Sequence, residues 1–376
     1  MDRIIQETHP EHRHIVLLGN PETKRTIFFL HAACEIGLHV HVLDWRAGWP
    51  RLWDPPALCE LTEGWEQAET LIKIDPPVWE SCRLEELDGL TGDYQKQLLA
   101  LARCQEACRL QFFNHPRDIL ALLDKRGCKD TLSQAGLSIT ETVGGQEPIG
   151  NTDQLLAAME SERIYQVFIK PVHGSGAAGI AAFRFQPRTG QMVLYTCAVE
   201  EPSSKELVNT KRLRRFSHRQ QIVSLLNRLL KLDCIVERWY AKAEQDGFSY
   251  DLRAVMQDGK LDFLLARLSK GPITNLHLNN HPLPAEALKL PQTVIETITV
   301  LCRNAMECYP GLKSAGIDLL LEKGSLRPRI IEMNGQGDLI YQDIYHENRI
   351  YLHQAEMMKQ WMEKATNLMK WSIYND

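Results

Sequence analysis

Apolar and polar positions along the chain predict strands and helices in turn. A short apolar run from His14 to Asn20 predicts a strand that ends in a Gly-Asn turn. Helical spacing follows from Lys24 to Ile36, and a second apolar run covers His39 to Trp45. Strand, helix and strand in about thirty residues is typical of a βαβ unit with a parallel sheet. We therefore expect an N-terminal parallel sheet.

Strands and helices continue to alternate after Pro116, which predicts an α/β fold with an α+β C-terminal half. The basic stretch 203–219 leads into an apolar helix that ends near residue 231. The patterns predict further helices over residues 93–113, 117–135, 152–162, 292–307 and 346–371, and strands over 138–144, 165–170, 179–185, 233–240, 250–257, 260–268, 314–321 and 328–333.

Composition narrows the class of protein. The 376 residues are 44% hydrophobic and 24% charged, with a formal net charge of −5. These values exclude a disordered chain, a collagen-like chain and a generally basic nucleic-acid binder. The most apolar stretch, Thr26 to Leu43, contains Glu35 and three histidines and is not a membrane span. We expect a cytoplasmic protein with no membrane or nucleic-acid partner, and we leave a homodimer open.

Ten cysteines are scattered along the chain without a CxxC pair. A zinc site needs clustered ligands, and a disulfide framework is typical of small secreted domains. We therefore expect free thiols.

An apolar run that ends in a lysine precedes a loop of small residues. The run covers Val167 to Lys170, and residues 173–180 read HGSGAAGI. Small residues let backbone N–H groups approach phosphate oxygens, and a lysine supplies a point charge. The lysine precedes the glycines, so the segment is not a Walker loop. An ordinary glycine-rich hairpin is the alternative interpretation.

Three oxygen-bearing side chains lie in two apolar segments. Asp318 ends the sequence AGID, whereas Glu332 and Asn334 are two residues apart in IIEMNG and face one side of a strand. Carboxylate and amide oxygens are ligands for Mg²⁺ that bridges substrate phosphates, and Mn²⁺ is also possible. The alternative is a solvated edge strand, but unpaired charges inside apolar runs are costly. We predict a metal site.

The motifs together resemble the ATP-grasp superfamily over roughly residues 117–340. The order is similar to that of the branch with ribosomal-protein glutamate ligases and peptide-modifying ligases, and at greater distance to D-alanine–D-alanine ligase. The resemblance implies an ATP-grasp fold behind an N-terminal βαβ domain. In chain order the motifs are DK at 124–125, IKPVHGSGAAG at 169–179, VE at 236–237, DLR at 251–253, TNLH at 274–277, GID at 316–318 and EMN at 332–334.

The resemblance implies a role for each matching residue. The nucleotide phosphates would be contacted by Lys125 and Lys170, with Lys129 as an alternative to Lys125. A phosphate lid would be formed by Gly174, Ser175, Gly176, Ala177 and Gly179. Adenine and ribose would be bound by Glu237, Trp239 and Asp251. The transferred phosphoryl group would be surrounded by Arg253, Arg267 and Asn275. One or two Mg²⁺ ions would be held by Asp318, Glu332 and Asn334.

The implied reaction is ATP-dependent ligation of a carboxylate to an amine, or to a thiol. The carboxylate attacks the γ-phosphorus to give an acyl phosphate, and the nucleophile then displaces phosphate. Such a transfer needs positioning and charge neutralisation rather than a protein nucleophile. Residues 273–275 (ITN) lack the arginine of the glutamate ligases, and residues 335–339 (GQGDL) replace a proline turn. We therefore expect a peptide, an amino acid or a specialised metabolite as substrate.

Two alternative functions are also compatible with the motifs. They are an ATP-grasp kinase that phosphorylates a hydroxyl and a non-catalytic nucleotide-binding module. The basic run 211–219 (KRLRRFSHR) could bind an acidic peptide or RNA, or form a solvated face.

The predicted segments are an N-terminal βαβ domain (1–116), a small central domain with the lid (117–200), a C-terminal catalytic domain (201–345) and a C-terminal helix (346–376).

Overall fold

The structure is a computed structural model that describes residues 13–48, 69–78, 82–107, 110–145, 148–174, 177–278, 280–336 and 347–373. The chain divides into two compact units. The first contains residues 1–78, 96–117 and 338–376, and the second contains residues 79–95 and 118–337. The four predicted segment boundaries stay predictions. Among the described residues, no helix has the length and apolar character that a membrane span requires.

The first unit contains a parallel sheet of four strands in the order β2-β1-β3-β4. The strands are β1 (Arg13–Gly19), β2 (His41–Asp44), β3 (Glu69–Ile74) and β4 (Leu110–Phe112). The helix Lys24–Glu35 connects β1 to β2, so the predicted βαβ unit is confirmed. The short helix Trp45–Gly48 follows β2, and the C-terminal helix Arg349–Ile373 packs against the helix Lys24–Glu35.

The second unit contains an antiparallel sheet in the order β8-β7-β6-β5-β9. One face of this sheet is covered by the helices Thr152–Ser161 and Arg219–Leu229, whose buried leucines share a core with Phe183 and Leu194. The strands are β5 (Gln166–Pro171), β6 (Ala181–Gln186), β7 (Gln191–Glu200), β8 (Leu207–Phe216) and β9 (Cys234–Arg238).

A second antiparallel sheet in this unit has the order β13-β12-β11-β14-β15, with β10 paired to β11. The helix Gln292–Glu307 contacts β11, β12 and β15 and buries Ile298 and Cys302. The strands are β10 (Glu244–Gln245), β11 (Phe248–Gln257), β12 (Lys260–Ser269), β13 (His281–Pro284), β14 (Ser314–Leu321) and β15 (Pro328–Asn334). Single 3₁₀ turns lie at Leu84–Glu86, Leu276–Leu278 and Ala285–Leu288.

The structure confirms the α/β prediction and corrects several elements. The predicted helix 117–135 is two helices, Pro116–Leu123 and Lys125–Gln134, because the Asp124 side chain caps the second helix. The predicted strand 138–144 makes only isolated bridges. The predicted helix 93–113 is the helix Leu87–Ala107 followed by β4. The basic stretch lies largely on β8, which was not predicted, and neither was β7.

Candidate active site

A cleft in the second unit brings together side chains from both of its antiparallel sheets. The segment that follows β12 closes one side of the cleft. A more apolar cavity of similar size adjoins it under the helix Lys125–Gln134, and both are lined by Glu332. Polar lining residues of the cleft are Thr140, Lys170, Glu237, Arg238, Lys242, Asp251, Arg267, Thr274, Asn275, Asp318 and Glu332.

Glu237 anchors a buried cluster of charges on the first sheet. In the pairing of β5 with β9, Glu237 lies opposite Phe168, so it shares a sheet face with Lys170 two residues along. The Lys170 ammonium donates to both Glu237 oxygens at 2.9 and 3.0 Å. Lys129 Nζ is 3.5 Å from Glu237 Oε2, and the Thr140 hydroxyl donates to the same oxygen at 2.7 Å. Burial alone would raise the pKa of Glu237, but Lys129 and Lys170 lower it below its ordinary value.

The two candidate lysines of the helix Lys125–Gln134 are engaged differently. Lys129 Nζ donates to the Thr140 carbonyl at 3.0 Å and belongs to the Glu237 cluster. Lys125 Nζ instead donates to the carbonyl of Gly174 at 2.6 Å and to that of Val172 at 3.2 Å. Lys125 therefore contacts the first residue of the predicted lid, which Lys129 does not.

Backbone geometry fixes the end of the predicted lid. Gly179 has a φ of +69°, and a Cβ there would lie 2.7 Å from Pro171 Cγ. Only glycine fits this position. Ala177 also has a positive φ, of 68°. The predicted lid residues Ser175 and Gly176 lie outside the described residues.

Strand register aligns the charged residues of the second sheet. Asp251 pairs with Arg267 across β11 and β12, Arg253 pairs with Asp318 across β11 and β14, and Asp318 pairs with Glu332 across β14 and β15. Arg253 Nε is 2.5 Å from Asp318 Oδ1, and Arg267 Nη2 is 3.2 Å from the same oxygen. Asp318 therefore lies beside Glu332 on a neighbouring antiparallel strand.

The Asp251 carboxylate, which the resemblance places at the ribose, is bound on both oxygens by protein groups. Arg267 Nε donates to Oδ1 at 2.7 Å, and the Thr274 hydroxyl donates to Oδ2. Lys242 Nζ is 3.7 Å from Oδ2. Asp251 lines the cleft, and its oxygens hold the side chains of Arg267 and Lys242 in position.

Asp318, Glu332 and Asn334 provide the hard oxygen atoms that Mg²⁺ prefers. Burial alone would raise the pKa of Glu332, but Lys125, Lys170 and the arginines lower it to about 2, which keeps the carboxylate ionised. The Asn334 amide donates weakly to Glu332 at 3.5 Å, so its carbonyl oxygen is left for another ligand. In the described part of the chain, no three His, Cys, Asp or Glu side chains meet as a metal site by themselves. Any ion here would also need Asn334, water or substrate oxygens.

The structure differs from the predicted site at Trp239, which does not line the cleft, and at Lys242, which was not predicted. Trp239 packs on Phe168, with ring centroids 5.3 Å apart, and Arg184 Cζ lies 5.0 Å from the Trp239 ring. Its indole is not among the groups that line the cleft. Lys242 was missed by the sequence analysis, although it is buried and donates to the Thr274 hydroxyl at 2.8 Å inside the cleft. Its segment, AKAEQ, has no motif that marks a site.

Positive charge dominates the cleft and the adjoining cavity. Six cationic side chains and four carboxylates line them among the described residues, an excess of two positive charges. Arg253 is not among the residues that line these cavities, but its buried Nη1 has no hydrogen-bond partner among the described residues. A buried donor without a partner is costly, so an anionic ligand beside Arg253 would stabilise the site. The cations are Lys125, Lys129, Lys170, Arg238, Lys242 and Arg267, and the carboxylates are Glu237, Asp251, Asp318 and Glu332.

Solved structures resemble this chain over most of its length. The ligase PsnB, complexed with a minimal precursor, Mg and ADP, has a TM-score of 0.55 at 14% identity, over 92% of this chain and 97% of that one. The D-cycloserine synthetase DcsG gives 0.55 at 13% identity, over 92% and 99%. The macrocyclase MdnC from Microcystis aeruginosa MRC, bound with the precursor peptide MdnA, gives 0.57 at 12% identity, over 92% and 99%.

No family model and no curated protein matches the sequence. PsnB is described as an ATP-grasp ligase. The chain therefore has the ATP-grasp fold, and the fold expected from the motifs is confirmed.

Proposed function

We propose that this chain is an ATP-dependent ligase that joins a carboxylate to an amine through an acyl phosphate. The observation that supports this most is the convergence of lysines, arginines and two opposed carboxylates in one cleft of an ATP-grasp fold. The cleft has an excess of positive charge for a polyphosphate, and its carboxylates suit a divalent ion.

The nucleotide would lie against the first sheet, with its phosphates between Lys170 and the lid that begins at Gly174. Glu237 holds Lys170 in a fixed position through two hydrogen bonds, so the ammonium is already ordered before ATP arrives. Lys125, which contacts the carbonyl of Gly174, would exchange this bond for a phosphate oxygen. Fixed charges of this kind stabilise the transferring phosphoryl group without reorganisation.

Asp318, Glu332 and Asn334 would hold Mg²⁺, which neutralises and orients phosphate oxygens when it is bound. Asp251 holds Arg267 and Asp318 holds Arg253, and of these four residues all but Arg253 line the cleft. The guanidinium groups of Arg253 and Arg267 would bind the oxygens of the γ-phosphoryl group and of the acyl phosphate, and Arg253 Nη1, which has no hydrogen-bond partner among the described residues, is suited to this role.

The acceptor would enter beside Asn275, which lines the cleft on the segment after β12. PsnB and MdnC are described in complexes with precursors, and DcsG is described as a synthetase of D-cycloserine. We propose a peptide carboxylate as the first substrate to test and an amino acid or other small metabolite as the second.

Turnover in Mg²⁺ with ATP, pooled peptides and amines tests the proposal when ADP and free phosphate are measured separately. A ligase releases both in equal amounts, and only when a carboxylate and an amine are present. ADP without free phosphate would indicate a kinase. Bound ATP that never yields ADP with any substrate mixture would indicate a binding module and would contradict the ligase.

A further inference from the structure

The edge of the first antiparallel sheet has a covered half and an open half. β8 is the last strand of this sheet. Near its start, the backbone N–H of Asn209 donates to the Cys82 carbonyl at 2.8 Å, and that of Leu207 donates to the Glu85 carboxylate at 3.0 Å. From Arg212 onward, no described strand pairs with the outer side of β8.

The open half carries Arg212, Arg214 and Arg215 of the basic run, and Arg219 begins the helix that follows β8. Each of their side chains is exposed, and none forms an ion pair with a described residue. Arg228, beside the covered half, shows the contrast because it pairs with Glu85 and Glu200 at 2.9 Å each. Unpaired like charges repel one another, so an anionic partner would stabilise this surface. We define the arginine edge as Arg212, Arg214, Arg215 and Arg219.

β8, the strand that carries most of the arginine edge, lies beside both borders of the cleft. At the lid border, the backbone N–H of Gly179 donates to the Asn209 side chain on β8 at 3.2 Å. At the acceptor border, Leu213 Cδ2 lies 3.0 Å from the position of a Cβ on Gly271. The segment from Pro272 to Asn275 that follows Gly271 lines the cleft. A chain that lies along β8 is therefore led towards the reacting groups.

We propose that the arginine edge binds an acidic segment of the peptide whose carboxylate reacts in the cleft. This inference rests on the proposed ligase function, whose substrate class it specifies. Guanidinium groups bind carboxylates with two parallel hydrogen bonds, so exposed arginines grouped at one sheet edge favour Asp and Glu side chains. A nucleic acid fits less well, because the one aromatic side chain of β8, Phe216, is half-buried and offers no exposed ring for base stacking.

Fluorescence anisotropy of the full chain tests the inference with three labelled probes of equal length. The probes are a peptide of alternating Glu and Ala, its Lys and Ala counterpart, and oligouridylate. We expect the Glu peptide to bind and the Lys peptide not to bind. The double variant Arg214→Glu/Arg215→Glu should weaken Glu-peptide binding by about tenfold or more, and added salt should weaken binding to the wild type.

Two matched variants, Arg188→Glu and Arg303→Glu, reverse exposed arginines elsewhere in the second unit and should leave peptide binding unchanged. ATP binding, followed separately with a labelled nucleotide, should be unchanged in all variants, because none of these arginines lines the cleft. Failure of the ligase proposal would appear as missing ADP formation, whereas failure of this inference would appear in the anisotropy.

Three results would overturn the inference. The first is a Glu peptide that does not bind the wild type, which would leave the arginines as protection of a sheet edge against aggregation. The second is equal loss of peptide binding in the matched variants. The third is oligouridylate that binds more tightly than the Glu peptide and depends on Arg214 and Arg215, which would assign the surface to nucleic acid.

Discussion

At the scale of single residues, the cleft depends on charges that the protein holds in place without cancelling them. The Glu332 carboxylate is surrounded by cations, yet its one described hydrogen bond is the 3.5 Å contact from Asn334. Glu332 is therefore available to a ligand, in contrast to Asp251, whose oxygens are bound by Arg267 and Thr274.

Glu332→Gln should lower turnover by about a hundredfold or more, because a charged ligand for the proposed Mg²⁺ becomes neutral. The fold should survive, since the amide is of equal size and the carboxylate makes little contact with protein. ADP formation and circular dichroism measure the two effects. Glu307→Gln, at an exposed position of the helix Gln292–Glu307, is the matched control. Wild-type turnover in Glu332→Gln would contradict the metal assignment.

Lys242 gives the cleft a pH dependence. Burial lowers the pKa of its ammonium to about 8, although Asp251 opposes the shift. The group is cationic below this pH and neutral above it, so kcat/KM for the anionic nucleotide should fall as the pH rises through about 8. Lys242→Arg stays charged and should give a flat profile over the same range. A flat wild-type profile, or the same fall in Lys242→Arg, would contradict the role of Lys242.

At the scale of elements, strand register explains why part of the site could be predicted from sequence. Apolar runs located β11, β12, β14 and β15, and their antiparallel pairing places Asp251, Arg253 and Asp318 beside their partners. β8 could not be predicted in the same way, because an edge strand with one packed side tolerates a basic run without alternation.

Connecting segments were the least predictable elements. Residues 138–144 read as a strand, but Ile139 bridges to Ile330 and Thr142 bridges to Glu237, so the segment pairs at single points with two different sheets. The break between the helices Pro116–Leu123 and Lys125–Gln134 depends on the Asp124 cap, which accepts from the N–H groups of Arg126 and Gly127 at 2.9 and 3.1 Å. Apolar periodicity alone does not report such a cap.

Asp124→Ala should reduce the free energy of unfolding by about 1 kcal/mol, because two N–H groups of the helix lose their acceptor. It should also raise KM for ATP, since Lys125 is the first residue of that helix. Asn151→Ala is the matched control, as it removes a similar cap from the helix Thr152–Ser161, where Asn151 accepts from Gln154. Urea titration measures the free energy of unfolding, and steady-state kinetics measures KM for ATP. Equal changes of KM in both variants would contradict a local role for the cap.

At the scale of the whole molecule, the first unit is completed by the end of the chain. Tyr351, Ala355 and Met358 of the helix Arg349–Ile373 are buried, and Tyr351 meets Phe29 of the helix Lys24–Glu35 with ring centroids 6.4 Å apart. Lys359 Nζ also donates to the Ile36 carbonyl at 2.7 Å. The parallel sheet around β1 therefore depends on residues more than three hundred positions away in sequence.

Met358→Ala should destabilise the first unit by about 2–5 kcal/mol, because a fully buried side chain is replaced by a cavity. Met357→Ala is the matched control, since Met357 is only half-buried and should cost much less. Hydrogen exchange followed by mass spectrometry localises the effect: amides of β1 and β3 should exchange faster in Met358→Ala, while those of β11 and β14 keep their wild-type rates. Equal acceleration in both units would contradict this division, because it would mean that the chain unfolds as one cooperative body.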